Sequence, residues 1–177
     1  GDNFKQKDHE IFNKLENISG KIIDGRKNAF PGEVISDFLQ ENKNFFPKLE
    51  EFANQIFDKV KQNNRTRYIA LCQFLKDEYG ITVKDVIPKE GKPFSKIYKV
   101  KDKELLLSDY LSLETKKLFA AAQISQEGAS KEIDEYLTTF NFPTEESKKL
   151  TRVALLNYCG AAILMPYSLF HKDCIVL

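Results

Sequence analysis

The hydrophobic period of this chain changes twice, and those changes limit the folds open to it. Up to Tyr79 apolar residues recur at three- and four-residue intervals. Between Ile81 and Ser108 they alternate or run on continuously, and from Ser112 the helical interval returns. One strand-like stretch set between helices, not alternating with them, predicts an α+β fold, mostly helical with about three strands. It excludes a doubly wound α/β sheet.

Ile11, Phe12, Leu15 and Ile18 make a short helical face that stops at Gly20. Val34, Ile35, Phe38 and Leu39 begin a second. Pro47 opens a third at its first turn, where its missing N–H costs nothing, and Leu49, Phe52, Ala53, Ile56, Phe57 and Val60 then recur at helical spacing. The polar KQNNRTR (61–67) marks the boundary between an N-terminal helical segment, 1–62, and a second unit, 63–177. There Tyr68, Leu71, Cys72, Leu75 and Tyr79 share a helix face capped by Gly80. Ile81, Val83 and Val86-Ile87 read as a strand closed by the turn-rich PKEGKP (88–93). Residues 94–100 and 104–108 flank Lys101-Asp102-Lys103 as a hairpin. Leu105-Leu106-Leu107 is too continuous for a solvent-washed strand, so both faces of that strand are expected to be covered. An Ala-rich helix over 114–126 follows, then one marked by Ile133, Tyr136, Leu137 and Phe140. A long helix starts after Pro143, with Thr144 as N-cap and Glu145-Glu146 beside its positive end, and Pro166 ends or kinks it.

Lys and Arg total 27 against 26 for Asp and Glu, a net charge of +1. That balance offers no broad basic field for a phosphate backbone, so this stretch is not expected to hold DNA by itself. Cys72, Cys159 and Cys174 are odd in number, far apart and without C-x-x-C spacing. Neither a disulfide framework nor a zinc or iron–sulfur site is indicated, and a reducing cytoplasm fits. No secretory leader precedes the charged opening, and the most apolar run, 153–165, contains Asn157 and is too short to cross a bilayer. Both ends, Gly1 and Cys174 to Leu177, read as those of a piece of a longer protein.

The order helix, strands, helix, followed by SLETKKLFAAAQISQE (112–127), resembles the ImmA/IrrE-type zincin scaffold. Working zincins carry H-E-x-x-H there, two His on one helix face for zinc and a Glu to activate its water. The equivalent residues are Ala122, Gln123 and Gln126. Ala has no ligand atom and a Gln amide takes no proton near neutral pH, so the resemblance implies a zincin-like core without a metal or peptidase chemistry. His9 and His171, the two histidines of the chain, do not restore the motif.

The segment LTRVALLNYCGAAILMPYSLF (150–170) resembles the C-terminal signature of short-chain fatty-acyl transcriptional regulators. An Arg-x-Ala-x-x-Asn-Tyr helix there runs through small residues into Leu-Met-Pro-Tyr-x-x-Phe. Residues 37–53, 67–86 and 98–109 are similar to other stretches of that family. The resemblance covers 35–170. It implies a cytoplasmic regulator that senses short-chain acyl-CoA; from that role a homodimer is expected, since palindromic DNA sites match two-fold proteins, and no cofactor is expected. DNA is then bound only through a helix-turn-helix, and none is recognisable in this chain. Arg152, Asn157, Tyr158 and Tyr167 are the candidate ligand-binding residues.

Each has a structural alternative. Asn157 shares a stripe with Leu150, Val153, Ala154, Tyr158 and Ala161, so its amide either fixes the helix or faces a ligand. Tyr158 and Tyr167 also suit core aromatics whose hydroxyls find partners. Gly160, Ala161 and Ala162 admit a neighbouring helix or a slim acyl chain. Arg152 suits a CoA phosphate, or an ion pair with Glu145, Glu146 or a neighbouring helix. The lysines of KEGKP and KVKDK suit solvated turns or CoA phosphates. Three functions follow: an effector-binding regulatory domain, an interaction module using Phe45-Phe46 and the 52–60 face, and a cryptic hydrolase.

Overall fold

A computed structural model describes residues 30–166 except Asn64. Its element order is α1 (Phe30–Glu41), α2 (Pro47–Lys61), α3 (Arg67–Tyr79), β1 (Thr82–Val86), β2 (Lys96–Lys99), β3 (Glu104–Ser108), α4 (Leu113–Gly128), α5 (Ser130–Thr138) and α6 (Glu145–Leu164). The fold is α+β, six helices and one small mixed sheet among the described residues. The helix expected over 11–18 lies outside them.

Local chemistry sets most element ends. Pro47 occupies the first turn of α2. At the end of α3, Gly80 takes φ +69° and its N–H donates to the Lys76 carbonyl, a left-handed (αL) closure, while the Ile81 N–H donates to the Leu75 carbonyl. Ser112 caps α4 by accepting from the Thr115 N–H at 3.2 Å. Thr144 and Ser147 form a reciprocal box at the start of α6, with bonds of 3.0 and 3.3 Å. The helix ends at Leu164, two residues before Pro166. Phe140 lies just beyond α5, which ends at Thr138.

The strand order is β1-β3-β2, with β1 parallel and β2 antiparallel to β3. Being central, β3 has neighbours on both edges. Leu105 and Leu107 are fully buried, whereas Leu106 on the opposite face is half-covered. The expected two-sided cover is therefore complete on one face only. Helices supply it: Leu105 and Leu107 join Ala70, Leu71 and Leu75 of α3 and Phe119, Ala120 and Ile124 of α4 in one apolar cluster.

Ala53, Ile56 and Val60 of α2 belong to that same cluster, so the 47–61 helix and the elements after residue 62 share a core. A second cluster joins Phe38 of α1, Phe46 and Leu49 at the head of α2, Ile133 and Leu137 of α5, and Leu155 and Cys159 of α6. Phe38, Phe46, Tyr136, Phe140, Phe142 and Tyr158 meet there with ring centroids 4.8–5.8 Å apart. Edge-to-face pairs such as Phe46–Tyr158, inclined at 76°, add about 0.5–1.5 kcal/mol beyond area burial. The long helix α6 is central, with α1, α2, α4 and α5 all packed against it.

Candidate functional site

Helix α6 carries the described candidate residues, and its small residues decide how near α4 can come. A Cβ built on Gly160 would lie 2.9 Å from the Ala122 backbone nitrogen and 3.2 Å from its Cα. The missing side chain is what lets the two helices approach so closely. Ala162 is buried nearby, but Ala161 faces outward and is exposed. Ala122, 4% exposed, is thus pressed against the α6 backbone.

The other two positions set against the zincin motif are held by side chains. Gln123, also 4% exposed, donates through Nε2 to Glu127 Oε1 at 3.1 Å. Gln126 accepts at Oε1 from Arg152 Nη1 at 2.7 Å. Arg152 also donates from Nη2 to Ser130 Oγ at 3.0 Å and from Nε to Asp134 Oδ1 at 3.1 Å. Ser130 Oγ in turn donates to the Gln126 carbonyl. One guanidinium fork therefore ties α6 to the end of α4 and the start of α5. Its planar, fixed donors suit three separate acceptors where a lysine has one ammonium. Among the described residues its acidic partner is Asp134, from a neighbouring helix.

Tyr158 reaches the other way. Its hydroxyl donates to Glu50 Oε1 at 2.5 Å and accepts from the Phe46 N–H at 3.3 Å, locking α6 to the head of α2. Glu50 is 8% exposed and its Oε2 has no hydrogen-bond partner among the described residues; the same is true of Glu132 Oε2 on α5. Cys159 sits beside this polar spot. Burial pushes its thiol up to about 11, Glu50 and Glu132 add to the rise, and the Ser125 hydroxyl opposes it. Burial, with the hydrogen bond to Glu50, likewise raises the Tyr158 phenol. Both groups stay protonated and neutral near pH 7.

Asn157 is only half-buried, and its side chain has no hydrogen bond among the described residues. It keeps donors and an acceptor available on the outer side of α6. Tyr167 lies outside the described residues. The structure thus brings Arg152 and Tyr158 into two different junctions of one helix, with Asn157 belonging to neither. Glu50 had no sequence signal beyond its place beside Leu49 on the helix face, since its partner is 108 residues away.

A third network lies between α3, the sheet and α4. Tyr68 donates to Asp85 Oδ1 at 3.0 Å, and Lys116 spans Asp85 at 3.3 Å and Asp109 at 3.1 Å. Burial lifts the neighbouring Cys72 thiol to about 11, with Asp85 adding to it and the Tyr68 hydrogen bond opposing it. No group of three or more His, Cys, Asp or Glu among the described residues is placed to hold a metal ion. No helix among them is long and apolar enough to cross a membrane.

The interaction face expected on α2 is largely interior. Phe46, Ala53, Ile56 and Val60 are buried in the chain's own clusters, and Phe52 is half-buried between them.

No family model matches the sequence. The chain is 26% identical over 144 residues to the HTH-type transcriptional regulator PrpR of Mycobacterium tuberculosis, covering 80% of this chain and 29% of that protein. It is 25% identical over 143 residues to the HTH-type transcriptional regulator RamB of the same organism, covering 81% and 30%. A solved Mycobacterium tuberculosis transcriptional regulator superposes with a TM-score of 0.72 at 26% identity, over 82% of this chain and 44% of that one. The chain spans under a third of the length of the curated relatives it matches. Over about four fifths of its own length, then, the chain is similar to mycobacterial HTH-type transcriptional regulators.

Proposed function

We propose that this chain is the effector-binding part of a bacterial transcription regulator that recognises a short-chain acyl-CoA and catalyses no reaction. The observation that carries the regulator reading is the superposition, at a TM-score of 0.72, on a transcriptional regulator over four fifths of the chain. The acyl-CoA reading rests on the 150–170 signature. DNA contact belongs to a helix-turn-helix that lies beyond the described residues, and the working unit is a cytoplasmic homodimer, since paired half-sites on DNA match two-fold proteins.

Chemistry supports recognition over hydrolysis. In a zincin-like core, Ala122, Gln123 and Gln126 would occupy the ligand and base positions, and none of the three can do either task. Gln123 and Gln126 are instead held in hydrogen bonds within the fold. The effector would be held by Arg152, Asn157, Tyr158 and Tyr167. Asn157 has its hydrogen-bonding groups ready, whereas Arg152 and Tyr158 would first exchange partners. That exchange would loosen the α4–α5–α6 or α2–α6 junction. It is the differential contact an effector needs if it is to favour one arrangement of the regulator over another.

The test is thermal unfolding of the protein with propionyl-CoA, acetyl-CoA and free CoA. A ligand that binds the folded state raises the midpoint in proportion to the logarithm of its concentration over Kd. The acyl-CoAs are expected to raise it more than CoA does. No shift with any acyl-CoA at millimolar concentration would remove the sensing reading.

A further inference from the structure

We propose a second small-molecule site, at the carboxyl ends of β1 and β3, for a ligand that joins a planar ring to one anionic group. It is independent of the acyl-CoA reading. A cleft of about 790 Å³ opens there, lined among others by Pro88, Lys89, Phe94, Ser95, Ser108 and Tyr110. That volume lies within the roughly 300–1,000 Å³ of ligand pockets. The two strands run parallel, so the segments leaving them, 87–95 and 109–112, emerge at the same end of the sheet.

The lining has the composition of a recognition site. Ser108 is 3% exposed and forms the floor; its N–H donates to the Ser95 carbonyl at 2.9 Å, tying the two walls together. Its hydroxyl accepts from the Tyr110 N–H at 3.3 Å. The wall residue Tyr110 is 76% exposed, and Ile87 and Leu113, adjoining the cleft in sequence, are 65% and 55% exposed. Tyr110 thus presents a large side chain to solvent at the wall of the cleft. Phe94 and Tyr110 offer aromatic faces for a planar ring. The turn 88–95 carries Lys89, Lys92 and Glu90, a net +1 that favours an anion on the lysine side. Lys89 has no ion-pair partner among the described residues.

This cleft is remote from the α6 junctions. It adjoins Ser112, the N-cap of α4, whereas Arg152 grips Gln126 on the same helix 14 residues later (126 − 112). At 1.5 Å per residue that is about 21 Å. One helix therefore connects two places where ligands could act.

The chemistry is shared by nucleotides and aromatic carboxylates, so the experiment carries an arm for each. Backbone amide resonances are followed by NMR during titration with adenosine monophosphate or with 4-hydroxybenzoate, and with adenosine and inorganic phosphate as half-ligands. At least one of the two planar anions is expected to give saturable shifts confined to residues 89–95 and 108–111, with each half-ligand weaker. Tyr110→Ala, at an exposed side chain that the fold does not need, is expected to weaken binding about tenfold. Lys89→Ala is expected to weaken the anions but not adenosine. Absence of saturable shifts there with both anions, or affinities unchanged by both substitutions, overturns the proposal.

Discussion

Arg152 on α6 donates to Gln126 on α4 at 2.7 Å, a bond between two helices whose partners lie 26 residues apart in the chain. The same guanidinium takes in Ser130 and Asp134, which makes it the fastening of three helices. Replacing Arg152 with Met leaves these acceptors without their donor. The site is partly open to water, which moderates the penalty to about 1–2 kcal/mol. Lys at this position cannot reproduce the fork and is expected to lose nearly as much. Urea denaturation checks both, and an Arg152→Lys variant as stable as the parent would show that the fork is dispensable.

Gly160 faces the Ala122 backbone at a distance that leaves no space for a methyl group. In a helix with free space, Gly→Ala stabilises by about 1 kcal/mol through propensity. Backbone atoms cannot swing aside, so overpacking of about 1–3 kcal/mol is expected to outweigh that gain. Gly160→Ala should lower the unfolding midpoint. A stabilised variant would mean that α4 and α6 sit further apart.

The Tyr158 hydroxyl is the donor to Glu50 Oε1, whose other oxygen already lacks a partner among the described residues. Tyr158→Phe should cost about 1–3 kcal/mol in the parent, because it leaves a buried carboxylate with less support. In a Glu50→Leu background the same change should cost clearly less, since the group that needed the hydroxyl is gone. Equal costs in both backgrounds would separate the two residues energetically.

Burial lifts both Cys72 and Cys159 from 9.0 to about 11. Between about pH 9 and pH 11 the unfolded thiols ionise while the folded ones keep their protons. The native state then binds more protons, and stability falls as pH rises through this window. Below about pH 9 these two groups contribute no slope. Urea midpoints at increasing pH check this, with Cys159→Ala expected to flatten part of the fall. With Cys174 replaced by Ser, thiol labelling of the native protein near pH 8 should be much slower than in urea. Equal rates would place the thiols at the surface.

Features set by neighbouring residues could be read in advance. The Thr144 cap, the Gly80 stop and the β2–β3 hairpin depend on a few consecutive side chains. Pairings across the chain could not. The parallel partnership of β1 with β3 skips β2, and no periodicity announces it. Glu50 belongs to the inward face only because Tyr158, far along the sequence, supplies a donor. Asn157, on the stripe with Leu150, Val153 and Ala154, is half-buried, which its spacing along the helix could not reveal. The 52–60 stripe was equally consistent with an interface or a core. The fold uses it as core, since α3 and α6 pack on it.

Calorimetric titration of this chain with propionyl-CoA and with free CoA bears most directly on the recognition claim. Saturable binding is predicted, tighter for the acyl form, weakened at least several-fold by Asn157→Ala, and unaccompanied by thioester or peptide hydrolysis. Absence of binding by either compound, or turnover of the thioester that Gln123→Ala abolishes, would contradict it.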